Sequence, residues 1–190
     1  MNSNVCEAHA EGCNCAKTWS STQQSLDEVD FMRSACAAAK SGHIDRLRTI
    51  LRKRPDAVDG DGVDGHSGYT PLHYASRSGH QDCVLLLLQS GADVDRRTTA
   101  GGATSLHRAA HMGHASIVNT LCAYKSDGSI QDFDGETPLH KALAQGHLDT
   151  ARILIAKFPA CLDLKDRYGK TARDMLNELE NSNTDICSSN

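Results

Sequence analysis

The sequence predicts an all-α solenoid of helix-turn-helix units, stacked side by side and joined by β-turn fingers, with about four repeats plus a C-terminal partial cap. Three observations predict it. A long motif returns three times, as TPLHYASRSGH over 70–80, TSLHRAAHMGH over 104–114 and TPLHKALAQGH over 137–147. Its threonines, Thr70, Thr104 and Thr137, stand 34 and 33 residues apart, and a weaker fourth, Thr171, follows after another 34. Apolar positions downstream of each copy also align, as Leu47, Val84, Val118 and Ala151, then as Ile50, Leu87, Leu121 and Leu154. One such unit alone would leave an apolar face in water, and stacking on neighbours buries it.

The elements follow in chain order. Residues 1–25 are polar and cysteine-rich and are expected to be disordered. The repeat domain is expected over 26–180, after a lead-in QQSLDEVDF, with repeats near 31–63, 66–98, 100–132 and 133–165 and a partial cap over 166–180. The first unit ends in AAAKSGH over 37–43 but lacks the T-P-L-H start; Arg33 and Ser34 occupy the Thr and Pro slots. In the middle units Thr70 and Thr137 suit the N-cap, where a hydroxyl accepts a bond from a helix N–H that has no other partner. Pro71 and Pro138 then take the first helical position, where the missing N–H costs nothing. Gly79, Gly113 and Gly146 end the first helices, because glycine enters the left-handed region cheaply. Ala75, Ala109 and Ala142 are small where packed helices approach closely, and Gly68, Gly102, Gly135 and Gly169 mark the turn two residues before each threonine. In the last unit TARDMLNELE keeps Thr171 but replaces the Leu-His pair with Arg173 and Asp174, and no second helix is expected. Polar, atypical end units suit a capped stack. Residues 181–190 read as a disordered tail.

A step of about 33 residues carrying T-P-L-H-x-A resembles the ankyrin-repeat family, and the resemblance covers roughly residues 31–180. It implies that the histidine of T-P-L-H bonds the threonine and neighbouring backbone, that the histidine after the glycine helps start the second helix, and that the chain is a non-catalytic protein-binding module.

Composition narrows the classes further. The chain has 190 residues and a net charge of −4, which suits one domain and gives no general attraction to nucleic acid or an anionic membrane. The longest apolar run, Cys83 to Leu88, is far too short to span a bilayer. No basic start leads into an apolar stretch, no N-x-[ST] sequon occurs, and four of the eight cysteines are scattered through helix-like segments. An intracellular site, cytoplasmic or nuclear, is expected.

Several patterns suggest chemistry. His73, His107 and His140 share one slot, and His43, His80, His114 and His147 share another. A catalytic histidine needs a nucleophile or an acid within reach, and a slot repeated at every step supplies neither. Gly169-Lys170-Thr171 resembles the end of a phosphate loop, but position 164 is leucine where the loop needs glycine. Asp59, Asp61 and Asp64 sit in a glycine-rich stretch, but Val63, Asp64 and Thr70 break the calcium-loop template; a lengthened finger is the simpler reading. Cys6, His9, Cys13 and Cys15 offer four ligands of the right type for tetrahedral zinc, though the spacing matches no standard finger. No cofactor is expected beyond zinc at that cluster.

In the family the chain resembles, partners are gripped by fingertip turns and by the exposed side of each first helix. Carried onto this sequence, the fingertip positions are His66, Ser67, Tyr69, Ala100, Gly101, Ala103, Phe133, Asp134, Glu136, Arg167, Tyr168 and Lys170. The first-helix positions are Arg77, Ser78, His111, Met112, Ala144 and Gln145. Tyr69, Phe133, Tyr168, Arg77 and Met112 are residue types favoured at interfaces. The expected partner is a protein, bound by a monomer, with no direct contact to nucleic acid or membrane. Recruiting substrates to a ubiquitin ligase, or regulating transcription through protein contacts, are the alternatives.

Overall fold

The computed structural model describes residues 34–60 and 67–187, with side chains up to residue 179. Helices alternate between two rows. The inner row holds α1 (Ala35–Lys40), α3 (Pro71–Ser78), α5 (Ser105–His111), α7 (Pro138–Ala144) and α9 (Ala172–Cys187). The outer row holds α2 (Ile44–Lys53), α4 (Gln81–Gln89), α6 (Ala115–Ala123) and α8 (Leu148–Lys157). Each of the first four inner helices packs on the outer helix that follows it and on the inner helix of the next unit, and α9 packs on α7. No strand forms among the described residues beyond an isolated bridge between Lys165 and Thr171.

Local chemistry starts each inner helix. Thr70 and Thr137 accept the N–H of the third helical residue, and that residue's histidine ring accepts the threonine N–H in return, closing a capping box. Thr104 and His107 form the same box. The first unit differs from the slot count. Ser34, expected in the Pro slot, is itself the N-cap, and its hydroxyl accepts the Ala37 N–H at 3.1 Å. With no proline to follow and a hydroxyl one residue later, α1 simply begins one position further along.

The two apolar rows meet in one elongated core. Leu47, Val84, Val118, Ala151, Leu87, Leu121 and Leu154 are buried as the alignment predicts. Ile50 is half-buried and Leu51 takes the buried place, because no described helix packs on the far side of α2. Ala75, Ala109 and Ala142 are fully buried where inner helices touch.

The histidines join the units. His73 and His107 accept the threonine N–H on Nδ1 (3.2 and 3.1 Å), so the proton sits on Nε2. Those Nε2–H groups donate to the Ala103 and Glu136 carbonyls of the next unit, both at 3.1 Å. The second set differs from its expected role. His80, His114 and His147 occupy the N-cap positions of α4, α6 and α8 but make no side-chain cap bond. Their Nε2 atoms reach back to the Lys40, Arg77 and His111 carbonyls of the preceding unit, each at 3.1 Å. The ring of each also lies over the preceding glycine: a Cβ on Gly113 would stand 2.7 Å from the His147 ring. Gly113 therefore satisfies both a positive φ of 73° and a close approach.

The last helix runs to Cys187, into the stretch whose composition predicts a tail. No proline or glycine lies between Thr171 and Cys187, so nothing breaks a helix once it has started.

Candidate functional site

The fingers are built by one repeated device. Thr98, Asp132 and Asp166, each 34 residues apart, sit at the base of successive turns. Asp132 Oδ1 accepts the N–H groups of Asp134 (3.0 Å) and Glu136 (2.9 Å), and Asp166 Oδ1 accepts those of Tyr168 and Lys170, both at 2.8 Å. Thr98 Oγ1 accepts the Ala103 N–H at 3.1 Å. Adjacent fingers then bond through the backbone, Thr99 N–H to Ser67 O, Phe133 N–H to Gly101 O and Arg167 N–H to Asp134 O. The rim is thus one hydrogen-bonded strip rather than a row of separate loops.

Between this rim and the inner helices lies a cleft of about 330 Å³, lined by Gly101, Ala103, His107, Arg108, His111, Asp132, Asp134, Glu136, Lys141, Ala144 and Gln145. It gathers seven residues from the expected binding set: Gly101, Ala103, His111, Asp134, Glu136, Ala144 and Gln145. Four others were missed by sequence reasoning: His107 because its slot reads as structural, Arg108 and Lys141 because their slot varies between copies, and Asp132 although it recurs as Asp166. Lys141 Nζ pairs with Asp132 Oδ2 at 2.9 Å and with the Glu136 carboxylate. Burial works to raise Asp132, but the Lys141 hydrogen bond and the Glu136 N–H outweigh it and hold the carboxyl below its ordinary range. Lys141 is pushed up for the matching reason: burial opposes its charge, and the two carboxylates more than restore it. Burial lowers His111, and the Lys141, Arg108, Arg77 and His147 charges lower it further.

The remaining expected residues divide by exposure. Tyr168 is 85 % exposed, Phe133 57 % and Met112 43 %. Arg77, Ser78, Ala100 and Arg167 are also exposed, while Ser67 and Lys170 are half-buried. Ala103 is only 3 % exposed and presents no side chain to a partner; it lies under the next unit, and its carbonyl holds His73. Tyr69 is half-buried, packed 5.6 Å from the His73 ring and 5.2 Å from Tyr74, with the Arg108 guanidinium 4.9 Å above it, so it serves packing first. Phe133 has a folding role as well. Its ring covers Gly102, where a Cβ would stand 2.6 Å away, and lies 5.9 Å from the Arg97 guanidinium. Asp134 pairs with Arg167 at 3.0 Å, and Lys170 pairs with Glu178 at 2.6 Å. His66 and the Cys6, His9, Cys13 and Cys15 cluster lie outside the described residues.

The site offers binding groups rather than a reacting constellation. Burial pushes the Cys161 thiol up to about 11 and raises Cys83 and Cys122 as well, so these sulfurs are poor nucleophiles at neutral pH. His73 and His107 are lowered to about 4 by burial, and both ring nitrogens of each are already bonded. Asp132, Asp134 and Glu136 bring carboxylate oxygens within 4.8 Å of one another, but Lys141 and Arg167 already neutralise them. Among the described residues no helix is long and apolar enough to cross a membrane.

Similarity to known proteins agrees with this geometry. A family model described as ankyrin repeats in three copies matches residues 8–98, 35–132 and 106–176. The chain is 29 % identical over 143 residues, 75 % of its length, to the probable E3 ubiquitin-protein ligase XBOS32 of Oryza sativa subsp. japonica, of which it covers 28 %. It is 42 % identical over 76 residues, 40 % of its length, to ankyrin repeat domain-containing protein 39 of Homo sapiens, of which it covers 39 %. It is 39 % identical over 115 residues, 60 % of its length, to the probable 26S proteasome regulatory subunit p28 of Saccharomyces cerevisiae (strain ATCC 204508 / S288c), of which it covers 50 %. The aligned part thus spans between about a quarter and a half of these relatives. With a step of 33 to 34 residues, capping boxes at the three middle inner helices, imidazoles joining the central units and matches along most of its length, the chain belongs to the ankyrin-repeat family.

Proposed function

We propose that this chain is a non-catalytic adaptor or regulator that binds a protein partner along its finger rim and inner-helix face. One observation carries the reading: among the described residues, Met112 at the end of an inner helix and Phe133 and Tyr168 on the fingers leave large apolar side chains exposed, and their chain neighbours His111 and Asp134 line a recess. Aromatic and methionine anchors around a recess are what a protein interface uses, with most surrounding contacts contributing little. The backbone of the site is rigid, since every finger bonds its neighbour, so little ordering cost opposes binding. An intracellular partner is the natural counterpart for a chain whose described cysteines are unpaired thiols. Affinity capture from cell extract tests the proposal. The Met112→Ala/Phe133→Ala/Tyr168→Ala variant should lose partners that the parent chain retains, with its fold intact by circular dichroism. Equal capture by both would refute the reading.

The name of the rice relative favours a second reading. The chain aligns with 28 % of a probable E3 ubiquitin-protein ligase, which makes substrate recruitment to a ligase the more specific role to test. Ligase subunits among the captured proteins would support it.

A further inference from the structure

The cleft is asymmetric in charge, and the asymmetry has chemical content. On the finger side, Asp132 and Glu136 share Lys141, and Asp134 pairs with Arg167. On the helix side Arg108 lines the cleft, and Arg77 stands outside the lining on the neighbouring inner helix; neither guanidinium makes a hydrogen bond or ion pair among the described residues. Arg108 of α5 is held by stacking, its guanidinium 4.9 Å above the Tyr69 ring, and its Nε is buried without a partner. Arg77 of α3 is exposed. The repeat itself sets their placement. Arg108 lies four residues after Thr104 as Lys141 lies four after Thr137, and Arg77 lies seven after Thr70 as His111 lies seven after Thr104. Those slots fall on one face of neighbouring inner helices, so Arg77, Arg108, His111 and Lys141 form two ranks across α3, α5 and α7. The depressed pKa of His111 agrees, because after burial its causes are the charges of Lys141, Arg108 and Arg77, together with His147.

We infer that Arg77 and Arg108 grip a carboxylate side chain from an acidic peptide segment of the protein partner. The inference rests on the protein-binding reading above and names the chemistry that reading leaves open. A guanidinium already desolvated at Nε and immobilised on an aromatic ring loses little freedom when it binds, and a carboxylate matches its planar fork. Nucleic acid fits poorly. A phosphodiester strand following the groove would have to pass Asp132, Asp134 and Glu136, while a single carboxylate reaching the helix side would not.

The test uses the full chain and a displayed library of short random peptides. Selected peptides should share an aspartate or glutamate. Arg77→Glu and Arg108→Glu should each weaken a fluorescein-labelled selected peptide roughly tenfold. The same peptide with lysine in place of its acid should bind Arg77→Glu more tightly than the parent chain. Arg152→Glu, on the outer helix α8, should change nothing. Peptide binding that is indifferent to both arginine variants overturns the inference. So does displacement of the peptide by inorganic phosphate or a single-stranded oligonucleotide. If those peptides are still lost from the Met112/Phe133/Tyr168 alanine variant, the protein-binding reading survives alone; if no peptide is selected at all, both fall. Should Arg108→Glu lower the melting temperature, exposed Arg77→Glu decides the matter.

Discussion

The two interfaces in the middle of the stack and the interface at its C-terminal end are made from the same parts, but not from all of them. Between α3 and α5, and between α5 and α7, an Nε2–H bonds the next unit's carbonyl, and a second imidazole lies over the earlier unit's glycine. Among the described residues both are missing between α7 and α9: His140 Nε2 is buried with no partner there, and nothing described lies within 4 Å of a Cβ on Gly146. The slot that would supply the ring, 34 residues after His147, holds Asn181. What remains there is the finger strip, with Arg167 bonded to Asp134 and Phe133, and the half-buried Met175, Leu176 and Leu179. The difference separates two kinds of cohesion. Apolar contact runs through every described interface and finger bonds run from Ser67 to Arg167, whereas imidazole bridging stops before the last unit, which carries neither histidine.

Acid should break the comparison most strongly. His73 and His107 are held near 4 in the folded chain against 6.5 when unfolded, so the unfolded chain takes up protons first as pH falls. Their contribution is complete above about pH 6.5 and drains away toward pH 4, by roughly 3 kcal/mol for each imidazole. Urea titrations at pH 7 and pH 5 should show the loss, and hydrogen exchange should place it at α3 and α5. Next in size, Leu106→Ala in the fully buried middle should cost about 3 kcal/mol, while Leu176→Ala, half-buried in the last unit, should cost about 1 kcal/mol. Equal costs would mean that the last unit is as tightly packed as the centre.

A paired glycine experiment sharpens the contrast. Gly113 and Gly146 have the same backbone, with φ of 73° and 72°. Alanine at Gly146 should therefore cost only the left-handed penalty of about 1 kcal/mol, but alanine at Gly113 must also displace the His147 ring. A larger drop in melting temperature for Gly113→Ala is expected. The smallest effects belong to the rim. Tyr168→Ala should leave stability within about 0.5 kcal/mol. Phe133→Ala should cost somewhat more than Tyr168→Ala, because its ring covers Gly102.

The regular part of this molecule was legible because each slot has one physical job. A threonine hydroxyl, a proline without an N–H and a glycine at positive φ can be read without coordinates. The shift of the first cap to Ser34 was not legible, since counting back from Gly42 fixes the helix end but not which hydroxyl starts it. Nor was the true work of His80, His114 and His147: their slot names the helix they precede, while their bonds run to the unit before. At the site, the positions carried over from the family include seven of the residues that line the cleft, but a place in a turn does not reveal what neighbouring side chains cover, and Ala103 is buried and Tyr69 half-buried. Asp132 was passed over, although spacing to Thr98 and Asp166 was available to mark it as the organiser of its turn.

The imidazole over each glycine gives the array a polarity. Lys40, Arg77 and His111 have their carbonyls occupied, and Gly42, Gly79 and Gly113 their bare faces shielded, only by residues that come later in the chain. No unit is finished by what precedes it in this respect. During synthesis each newly emerging segment would therefore lock the one already made, and damage near the C-terminal side of the row should loosen its upstream neighbour before its downstream one.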